Sequence, residues 1–566
     1  MNQQVFTGVA ASSGVALGFA YRTDRDQSPA LPKRTTGDPV QLITAAFDAV
    51  SHNMRELAGS LRSRGQCEQA DIMDVAGYIA DDPDLRTRAL DHARGGSPVA
   101  IAVERAIDSY ASILAELADP TLAERATDVR QIGRRVLAWL NAEDTAERQD
   151  GPLILLAHEI GAADLLEPPA PVVAAASVTG GPNSHAAIVA RSLGIPLLLG
   201  ISPDLLTCPD GIEILIDSEQ ASITVAPAPD ERANALSSMD TSRIRRALLV
   251  AERGLPAQTR DGHAITLRAN TATPADVRTA LEAHAEGIGL LRTELPFLDA
   301  TTWPSYLQHT AELTPIFRQL AAALVTVRTL DYADDKLPPF LATGREGQRL
   351  GRGLPLMLAA PDAFANQFRA ILTAGAAADL RIMIPMVATA EELRACRNLL
   401  TAAATEARVA VPPLGAMIEL PEAVADIESI AAEADFLSIG SNDLTCQILH
   451  LDRRDPTATP AMTAHPSVLR AISKVVTSAH RHRLPVSVCG DAAAHPQAMP
   501  LLVGLGCDIL SVVPAAVDEV RARIRRLDHA TCAATAVAAL TCGTVEEVWR
   551  LVERHCLTAL NPVESN

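Results

Sequence analysis

The sequence predicts a multidomain α/β protein, in which an α/β domain with an inserted all-helical domain precedes a C-terminal (β/α)8 barrel. The chain has 566 residues, more than a single hydrophobic core normally organises. Its second half contains eight apolar, strand-like runs separated by helical patterns. Its first half passes from strand-like to helical and then to mixed character.

The N-terminal half contains two kinds of pattern. Residues 7–21 are typical of strands broken by glycines, whereas 38–145 place apolar residues at the three- and four-residue spacing of helices. Short strands are then predicted at 153–157, 172–176, 197–200, 213–217 and 223–226. A stretch with proline and alanine at 226–230 opens a helical connector. We therefore expect an α/β domain from 1–22 and 145–225, a helical domain at 23–144, a linker at 226–256 and a barrel at 257–566.

The eight runs of the second half have the number and character that a (β/α)8 barrel requires. They lie at 265–270, 287–292, 324–331, 382–387, 414–420, 436–441, 485–491 and 509–513. Continuous apolar strands between helices are typical of a parallel sheet that is buried on both faces. The wide spacing after the third run predicts an extra excursion near 333–357.

Composition excludes several classes of protein. A formal charge of −19 argues against nucleic-acid binding and suits a basic protein partner. The nine cysteines are scattered without a C-x-x-C pair, as in the reduced thiols of a cytoplasmic protein. The first residues predict no signal peptide, and no apolar run reaches the roughly 20 residues of a membrane span, so no membrane insertion is expected.

Polar residues cluster at the C-terminal ends of the predicted barrel strands. They are Asn270, Arg292, Arg328, Asp331, Glu419, Asn442, Asp443, Cys489 and Asp491. In such barrels the C-terminal strand ends form the catalytic face. Six of eight strand ends carry such residues, which indicates a site at this face.

These residue types suit a small, multiply charged anion. Arg292 and Arg328 can each make forked contacts to phosphate or carboxylate oxygens. Asn442 and Arg453 can complete the clamp on the anion. The alternative is that the arginines form salt bridges that seal the mouth of the barrel.

The carboxylates at the same face suit a divalent metal. Glu419 and Asp443 supply two hard oxygens, as Mg²⁺ prefers, with water and substrate phosphate filling its other positions. Cys489 can be a buried structural thiol or, beside an anion site, a proton donor. His185 begins a helical pattern after a Gly-Pro turn, where a packing or capping role, a metal ligand and a residue presented for chemistry are all open.

Seven segments resemble one protein family, in order along nearly the whole chain. They are ERATDVRQIGRR (124–135), GGPNSHAAIVARSLGIP (180–196), GIGLLRTE (287–294), VRTLD (327–331), GAMIELP (415–421), SIGSNDLTCQILHLDR (438–453) and VCGD (488–491). The resemblance is to enzyme I of the bacterial sugar phosphotransferase system, the phosphoenolpyruvate-protein phosphotransferases.

The resemblance implies a role for each candidate residue. His185 accepts the phosphoryl group of phosphoenolpyruvate, and Cys489 protonates the enolate as pyruvate forms. The residues that bind the substrate would be Arg292, Arg328, Asn442, Asp443 and Arg453. Glu419 and Asp443 would ligate Mg²⁺.

The resemblance also implies partners and movement. The phosphoryl group passes from His185 to a histidine of a small phosphocarrier protein that serves sugar uptake. The domain formed by 1–22 and 145–225 would swivel about the linker, the helical domain would dock the carrier, and the barrel would form a homodimer. Carrier docking is expected at 71–85, around Tyr78; the alternative is an ordinary amphipathic helix.

Three segments depart from the family pattern. Tyr332-Ala-Asp334 stands where a double glycine is usual, and Leu166 replaces a hydroxyl expected near the imidazole. In 347–356, Gly353 and Leu356 stand where two arginines are expected; the alternative is that Arg349 and Arg352 substitute for them. A diverged paralogue with slow or regulatory transfer to a different carrier is therefore the alternative function. A non-catalytic scaffold is expected to lose His185 or the carboxylate pair, and this chain keeps both. A synthase or dikinase needs a large ATP-binding domain for which no residues remain. A metal-dependent aldolase would not need His185.

Overall fold

The structure is a computed structural model. It describes residues 4–23, 38–63, 67–115, 120–141, 151–166, 170–181, 184–298, 300–332, 337–342, 353–452 and 458–557. The chain forms two compact units, Met1–Arg245 and Arg246–Asn566. No helix in these described ranges is long and apolar enough to cross a membrane.

The first unit contains a mixed sheet of eight strands. They are β1 (Gln4–Thr7), β2 (Val9–Ser12), β3 (Val15–Arg22), β4 (Leu153–Ala157), β5 (Val172–Ser177), β6 (Leu197–Leu199), β7 (Glu213–Asp217) and β8 (Ser222–Val225). Their order is β1-β8-β7-β3-β4-β5-β6-β2. Strands β3 to β6 pair in parallel and the outer pairs are antiparallel.

Five helices between β3 and β4 form the predicted helical domain. They are α1 (Pro39–Ser63), α2 (Cys67–Ala80), α3 (Pro83–Arg94), α4 (Val99–Ala115) and α5 (Pro120–Leu140). Their core, with Phe47 and Ile132 fully buried, is continuous with one face of the sheet through Leu155. The neighbours of Leu155 on β4, Ile154 and Leu156, point to a separate core on the other face, as strand alternation requires.

Three further helices follow in or after the sheet: α6 (Ala162–Leu166), α7 (His185–Leu193) and α8 (Pro229–Ala251). Ser184 caps α7, because its side chain accepts a hydrogen bond from the Ala187 amide. Gly194 ends the helix in the left-handed conformation, with φ of 65°. Local sequence thus places His185 at the first position of α7.

The second unit is a closed parallel barrel, and all eight predicted strands are confirmed. They are β9 (Thr266–Thr271), β10 (Ile288–Leu291), β11 (Leu324–Arg328), β12 (Asp379–Ile384), β13 (Leu414–Ile418), β14 (Phe436–Ile439), β15 (Val486–Val488) and β16 (Ile509–Val512). Each pairs in parallel with the next, and β16 closes on β9. The predicted fold class is therefore confirmed.

Helices cover the outside of the barrel. They are α9 (Pro274–Glu282), α10 (Tyr306–Phe317), α11 (Pro339–Ala342), α12 (Leu354–Leu358), α13 (Pro361–Ala374), α14 (Ala390–Ala407), α15 (Pro421–Ala425), α16 (Ile427–Glu433), α17 (Ser441–Leu449), α18 (Pro466–Arg481), α19 (Met499–Gly504), α20 (Val517–Ile524), α21 (His529–Ala539) and α22 (Val545–Val552). The main core lies between strands and helices. A small separate cluster fills part of the barrel interior; it consists of Leu290, Met383, Met417, Phe436 and Cys489.

Candidate functional site

Strand β11 of the barrel ends in a buried arginine at the C-terminal face. Arg328 ends β11 and is only 4% exposed. Its guanidinium lies 2.5 Å from Glu294 Oε1 and 3.0 Å from Asp331 Oδ2. Burial alone would lower the pKa of Arg328, but the carboxylates of Glu294, Asp331 and Glu419 outweigh burial and raise that pKa. The arginine is therefore held as a permanent cation.

A buried polar chain fixes the position of the Arg328 strand end. The Thr293 hydroxyl donates to the Arg328 carbonyl at 2.8 Å, and Gln367 donates to the Thr293 hydroxyl at 3.0 Å. Gln367 also accepts from the Leu330 amide at 3.1 Å. Because these groups are buried and bonded to one another, the backbone from Arg328 to Leu330 is held in one arrangement.

Glu419 follows β13 and carries a perturbed carboxyl group. It is 1% exposed, and its Oε1 accepts from the Met386 amide at 2.7 Å. Burial first, and then the charges of Asp331 and Asp443, raise the pKa of Glu419 to about 8. A methyl group added at Gly440 would lie 2.7 Å from Glu419 Oε2, so this position needs glycine to leave room for the carboxylate.

The donor set at this face fits a divalent cation that also binds substrate. Glu419 and Asp443 are close enough for their charges to interact, and like charges in a buried setting are relieved by a cation between them. Within the described ranges, no group of three or more His, Cys, Asp or Glu side chains is arranged to hold a metal by itself. Two carboxylates with substrate and water oxygens are the usual environment of Mg²⁺.

Cys489 lies directly after β15, inside the barrel mouth. It is 5% exposed, accepts from the Ser438 hydroxyl at 3.3 Å and lies 3.6 Å from the Ile439 carbonyl oxygen. Burial raises the pKa of Cys489 to about 11, although Arg328 and Arg292 act to lower it. The sulfur is therefore a thiol at neutral pH and carries a proton that it can donate.

The remaining predicted residues are placed as follows. Arg292 follows β10, and its amide donates to the Thr271 carbonyl at 2.9 Å. Asn442 forms two hydrogen bonds with Asp491, one to its carboxylate at 2.9 Å and one from its amide at 3.0 Å. Asn270 is turned inward and bonds the carbonyls of Cys489 and Ser511, so its role is to brace the strand ends. Arg453 lies outside the described residues, as do Asp334 and most of 347–356.

His185 lies in the first unit, at the start of α7. Its Nδ1 is 3.3 Å from Asp128 Oδ1, and its side chain is 36% exposed. Asp128 belongs to α5, the last helix of the helical domain. A carboxylate at Nδ1 favours the tautomer with its proton on that nitrogen, which leaves the lone pair on Nε2. Leu166 packs against the core that the helical domain shares with the sheet, and it brings no hydroxyl to the imidazole ring of His185.

A cavity of about 90 Å³ with both polar and apolar walls opens beside the His185 ring. It is lined by His185, Asp128, Thr127, Glu159, Ser177 and Thr179. The Thr127 hydroxyl donates to Glu159 at 2.6 Å, which secures the wall formed by the helical domain. The cavity also meets the amino end of α7, where unsatisfied amides and the helix dipole favour a dianion.

Two residues of the site were missed by sequence reasoning. Glu294 lies inside the quoted segment 287–294, and its only signal was an acidic residue two positions after an arginine. Asp128 lies inside 124–135, where nothing local distinguishes it from other charged residues of an amphipathic helix. Both are recognised only from their partners in space.

The barrel and the two parts of the first unit match three models of one family. The PEP-utilising enzyme, PEP-binding domain matches 246–529, just over half of the chain. The N-terminal domain of these enzymes matches 7–125, and their mobile domain matches 150–221.

Several curated proteins are similar along the chain. The phosphoenolpyruvate-protein phosphotransferase of Geobacillus stearothermophilus is 31% identical over 98% of this chain and 98% of its own length. The multiphosphoryl transfer protein of Xanthomonas campestris pv. campestris is 34% identical over 96% of this chain, which spans 66% of that longer protein. The phosphoenolpyruvate-dependent phosphotransferase system protein of Escherichia coli is 31% identical over 95% of this chain and 74% of its own. The chain therefore belongs to the PEP-utilising enzymes, and within them to the phosphoenolpyruvate-protein phosphotransferase family.

Proposed function

We propose that this enzyme transfers the phosphoryl group of phosphoenolpyruvate to His185 and then to a histidine of a small phosphocarrier protein, releasing pyruvate. The observation that supports this proposal best is that the two units carry different kinds of chemical groups. One end of the barrel gathers cations, carboxylates and a protonated thiol, which suit a phosphate donor. The other unit presents a histidine whose Nδ1 faces a carboxylate.

Phosphoenolpyruvate is assigned to the C-terminal face of the barrel. Arg328 and Arg292 would bind its phosphate and carboxylate oxygens. The Asn442 side chain, which Asp491 orients by hydrogen bonds, would form a hydrogen bond with the edge of the substrate. Arg453 is assigned to the same clamp from the sequence alone. The Glu294 and Asp331 carboxylates hold the Arg328 fork, so little reorganisation is needed when the anion arrives.

Glu419 and Asp443 are assigned as the ligands of Mg²⁺. When bound, the metal would neutralise charge on the phosphoryl group during its transfer. The hydrogen bond that Glu419 accepts from the Met386 amide and the room left for its carboxylate by Gly440 support this assignment. Asp443 would also contact the substrate through the same oxygens.

The transfer itself makes one bond to nitrogen and breaks one bond to oxygen. The lone pair on His185 Nε2 attacks phosphorus as the bond to the enol oxygen breaks, and Asp128 stabilises the charge that develops on the ring. The released enolate takes a proton at its methylene carbon from the Cys489 thiol, which gives pyruvate. Solvent then returns a proton to the thiolate. The raised pKa of Cys489 keeps its sulfur protonated at neutral pH, so the proton is present when the enolate forms, and the carbanion is basic enough to take it.

His185 must meet two partners, so we infer that its domain moves. The segments 1–22 and 145–225 would swivel, with 226–256 as the hinge, between the barrel and a carrier docked on 23–144. A homodimer through the barrel, a cytoplasmic location and a role in sugar uptake are inferred from the family resemblance.

Carrier docking is assigned to 71–85. Tyr78 is 68% exposed, as an apolar contact for a partner would be. The acidic residues beside it already have partners: Asp81 pairs with Arg55 and Arg86, and Asp82 caps α3. Changing either aspartate would disturb the helices, so Tyr78→Ala is the better test. This variant should slow phosphoryl transfer to the carrier and leave labelling of His185 unchanged. A transfer rate equal to that of the parent would exclude 71–85 as the docking surface.

A slower, regulatory enzyme with a different carrier is the second candidate. Leu166 gives no hydroxyl to the imidazole, and Tyr332 is fully buried beside Trp303, where a double glycine was expected. These two differences alter both reaction sites. Single-turnover labelling would distinguish the candidates, because a regulatory enzyme would label His185 slowly even with saturating phosphoenolpyruvate.

The central experiment is incubation with labelled phosphoenolpyruvate and Mg²⁺, followed by mapping of the acid-labile phosphate. We expect label on His185 and none on the His185→Ala variant. His158, whose carbonyl accepts from the amide of Thr179 in the cavity wall at 2.8 Å, serves as the matched control, because His158→Ala should retain the label. Label that persists in His185→Ala would overturn the proposal.

A further inference from the structure

Two arginines lie inside the barrel at the opposite end from the candidate site. Arg268 on β9 stands two residues before Asn270, which bonds Ser511 across the barrel interior. Arg381 on β12 stands two residues before Met383, a member of the interior cluster. Because side chains alternate along a strand, both arginines face the interior and belong to its layer nearest the amino ends of the strands.

This layer of a (β/α)8 barrel is normally packed with bulky branched apolar side chains. Arg268 is only 9% exposed, and its Nε is buried without a hydrogen-bond partner. The Nε of Arg381 is buried and unpartnered in the same way. Within the described ranges, neither guanidinium has a hydrogen bond or a carboxylate within 4.0 Å.

The acidic groups nearest to the two arginines do not neutralise them. Glu286 and Asp379 act on Arg268 only at a distance, and one oxygen of Glu286 accepts from the Leu267 amide at 3.0 Å. Burial first, and then the charge of Arg381, lower the pKa of Arg268 to about 10. Buried cations without a counter-charge are unfavourable, and a bound anion would supply that charge.

An aromatic ring and two glycines surround the two arginines. The Arg381 guanidinium lies over the Phe436 ring, 5.9 Å from its centre, in a cation–π arrangement. Gly289 and Gly415 belong to strands that bring no side chain here: an added methyl group would meet Ser511 Oγ at 2.2 Å or the Phe436 ring at 2.4 Å. Two arginines and one aromatic ring thus occupy a layer that is usually apolar, and the two glycines make room for Ser511 and Phe436 within it.

We propose that Arg268 and Arg381 bind a small oxyanion of phosphate size and charge at the amino end of the barrel. Two guanidinium forks match the oxygens of such a dianion. This anion site is distinct from the substrate site, because Arg292, Arg328 and Glu419 follow the opposite ends of the strands. The inference does not depend on the proposed function.

The test uses inorganic phosphate as the probe and the full chain. Because the substrate site also binds phosphate, affinities are compared by calorimetry between Arg292→Gln and the double variant Arg292→Gln/Arg268→Met. We expect at least a tenfold weaker affinity in the double variant. Phosphate should also raise the melting temperature of the first variant more than that of the second. Arg318→Met, at an exposed arginine of the same unit, should leave both readouts unchanged in the Arg292→Gln background.

The outcomes separate cleanly. Equal phosphate affinity in the two variants, or no phosphate binding to Arg292→Gln, would overturn the proposal. If Arg268→Met does not fold, Arg381→Gln, at the less buried of the two arginines, replaces it with the same expected loss. Labelling of His185 by phosphoenolpyruvate should persist in Arg268→Met. Because this labelling reports on the substrate site, a loss of labelling is distinguishable from a loss of phosphate binding at the anion site.

Discussion

Asp128 Oδ1 lies 3.3 Å from His185 Nδ1, although 57 residues separate them and they belong to different parts of the first unit. The helical domain thus contributes directly to the environment of the proposed acceptor. The pair makes Asp128 a positioning residue, which sets the tautomer and orientation of the imidazole.

The first prediction concerns this pair. Asp128→Asn should slow phosphoryl transfer into His185 by at least about tenfold, because an amide favours the wrong tautomer and cannot stabilise an imidazolium. Rapid-quench labelling measures the rate, and nitrogen chemical shifts of His185 report the tautomer. Glu159→Gln, in the wall of the same cavity, is the control and should change neither reading by more than about twofold. An unchanged tautomer in Asp128→Asn would contradict the positioning role.

The second prediction concerns the buried ion pair of Arg328 and Glu294. Glu294→Gln removes a carboxylate that is fully buried and leaves the arginine charge partly uncompensated, so unfolding should become easier by about 3–5 kcal/mol. Binding of phosphoenolpyruvate should weaken as well, because the guanidinium loses its orientation. Glu406→Gln breaks the exposed pair with Arg369 and should cost less than about 1 kcal/mol. Denaturant titration of both variants measures these losses in the free energy of unfolding. A similar loss in the two variants would contradict the prediction that the buried pair contributes more.

The third prediction concerns the Cys489 thiol. Cys489→Ala should lower the rate of pyruvate formation by about 100-fold or more with little change in KM, since the proton donor is lost while the arginines remain. Because burial raises the pKa of Cys489 to about 11, the donor stays protonated from pH 7 to 9. Cys507→Ala removes another fully buried thiol of the barrel and should leave pyruvate formation intact. Equal rates for the two variants would exclude Cys489 as the donor.

The fourth prediction concerns pH and stability. His309 is 1% exposed and packs edge-on against Phe297 at 4.8 Å, and burial lowers its pKa from 6.5 to about 4. The unfolded chain therefore binds more protons between these values, so stability is retained above pH 6.5 and is lost as the pH falls toward 4. At pH 4.5 this group should cost about 2.5 kcal/mol relative to pH 7.

The His309→Phe variant tests that dependence, because it keeps an aromatic ring and removes the titrating group. Its loss of stability between pH 7 and 4.5 should be smaller than that of the parent by roughly that amount, measured by denaturant unfolding. His52→Gln is the control, since the His52 side chain is 75% exposed and is solvated in both states. Parallel curves for His309→Phe and the parent would show that His309 does not titrate during acid unfolding.

Much of the architecture was predictable because it depends on local pattern. The strand runs at 414–420 and 436–441 contain the observed β13 and β14, and a polar residue follows each strand at the C-terminal face, Glu419 after β13 and Ser441 after β14. Parallel strands must bring their carboxyl ends to one side of the barrel, so the neighbourhood of Arg328, Glu419 and Cys489 follows from the order of the strands. The start of α7 at His185 was also local, since Ser184 caps it and Gly194 ends it.

The sequence by itself thus determined the fold class, the face of the barrel that carries the polar residues, and the place of His185 at a helix start. Only the tertiary structure decided which side chains are partners: Asp128 with His185, Glu294 with Arg328, and no carboxylate with Arg268 among the described residues. The reason is physical. Periodicity and capping act over a few residues, whereas an ion pair, or a buried cation without one, depends on packing between segments that lie far apart in the chain.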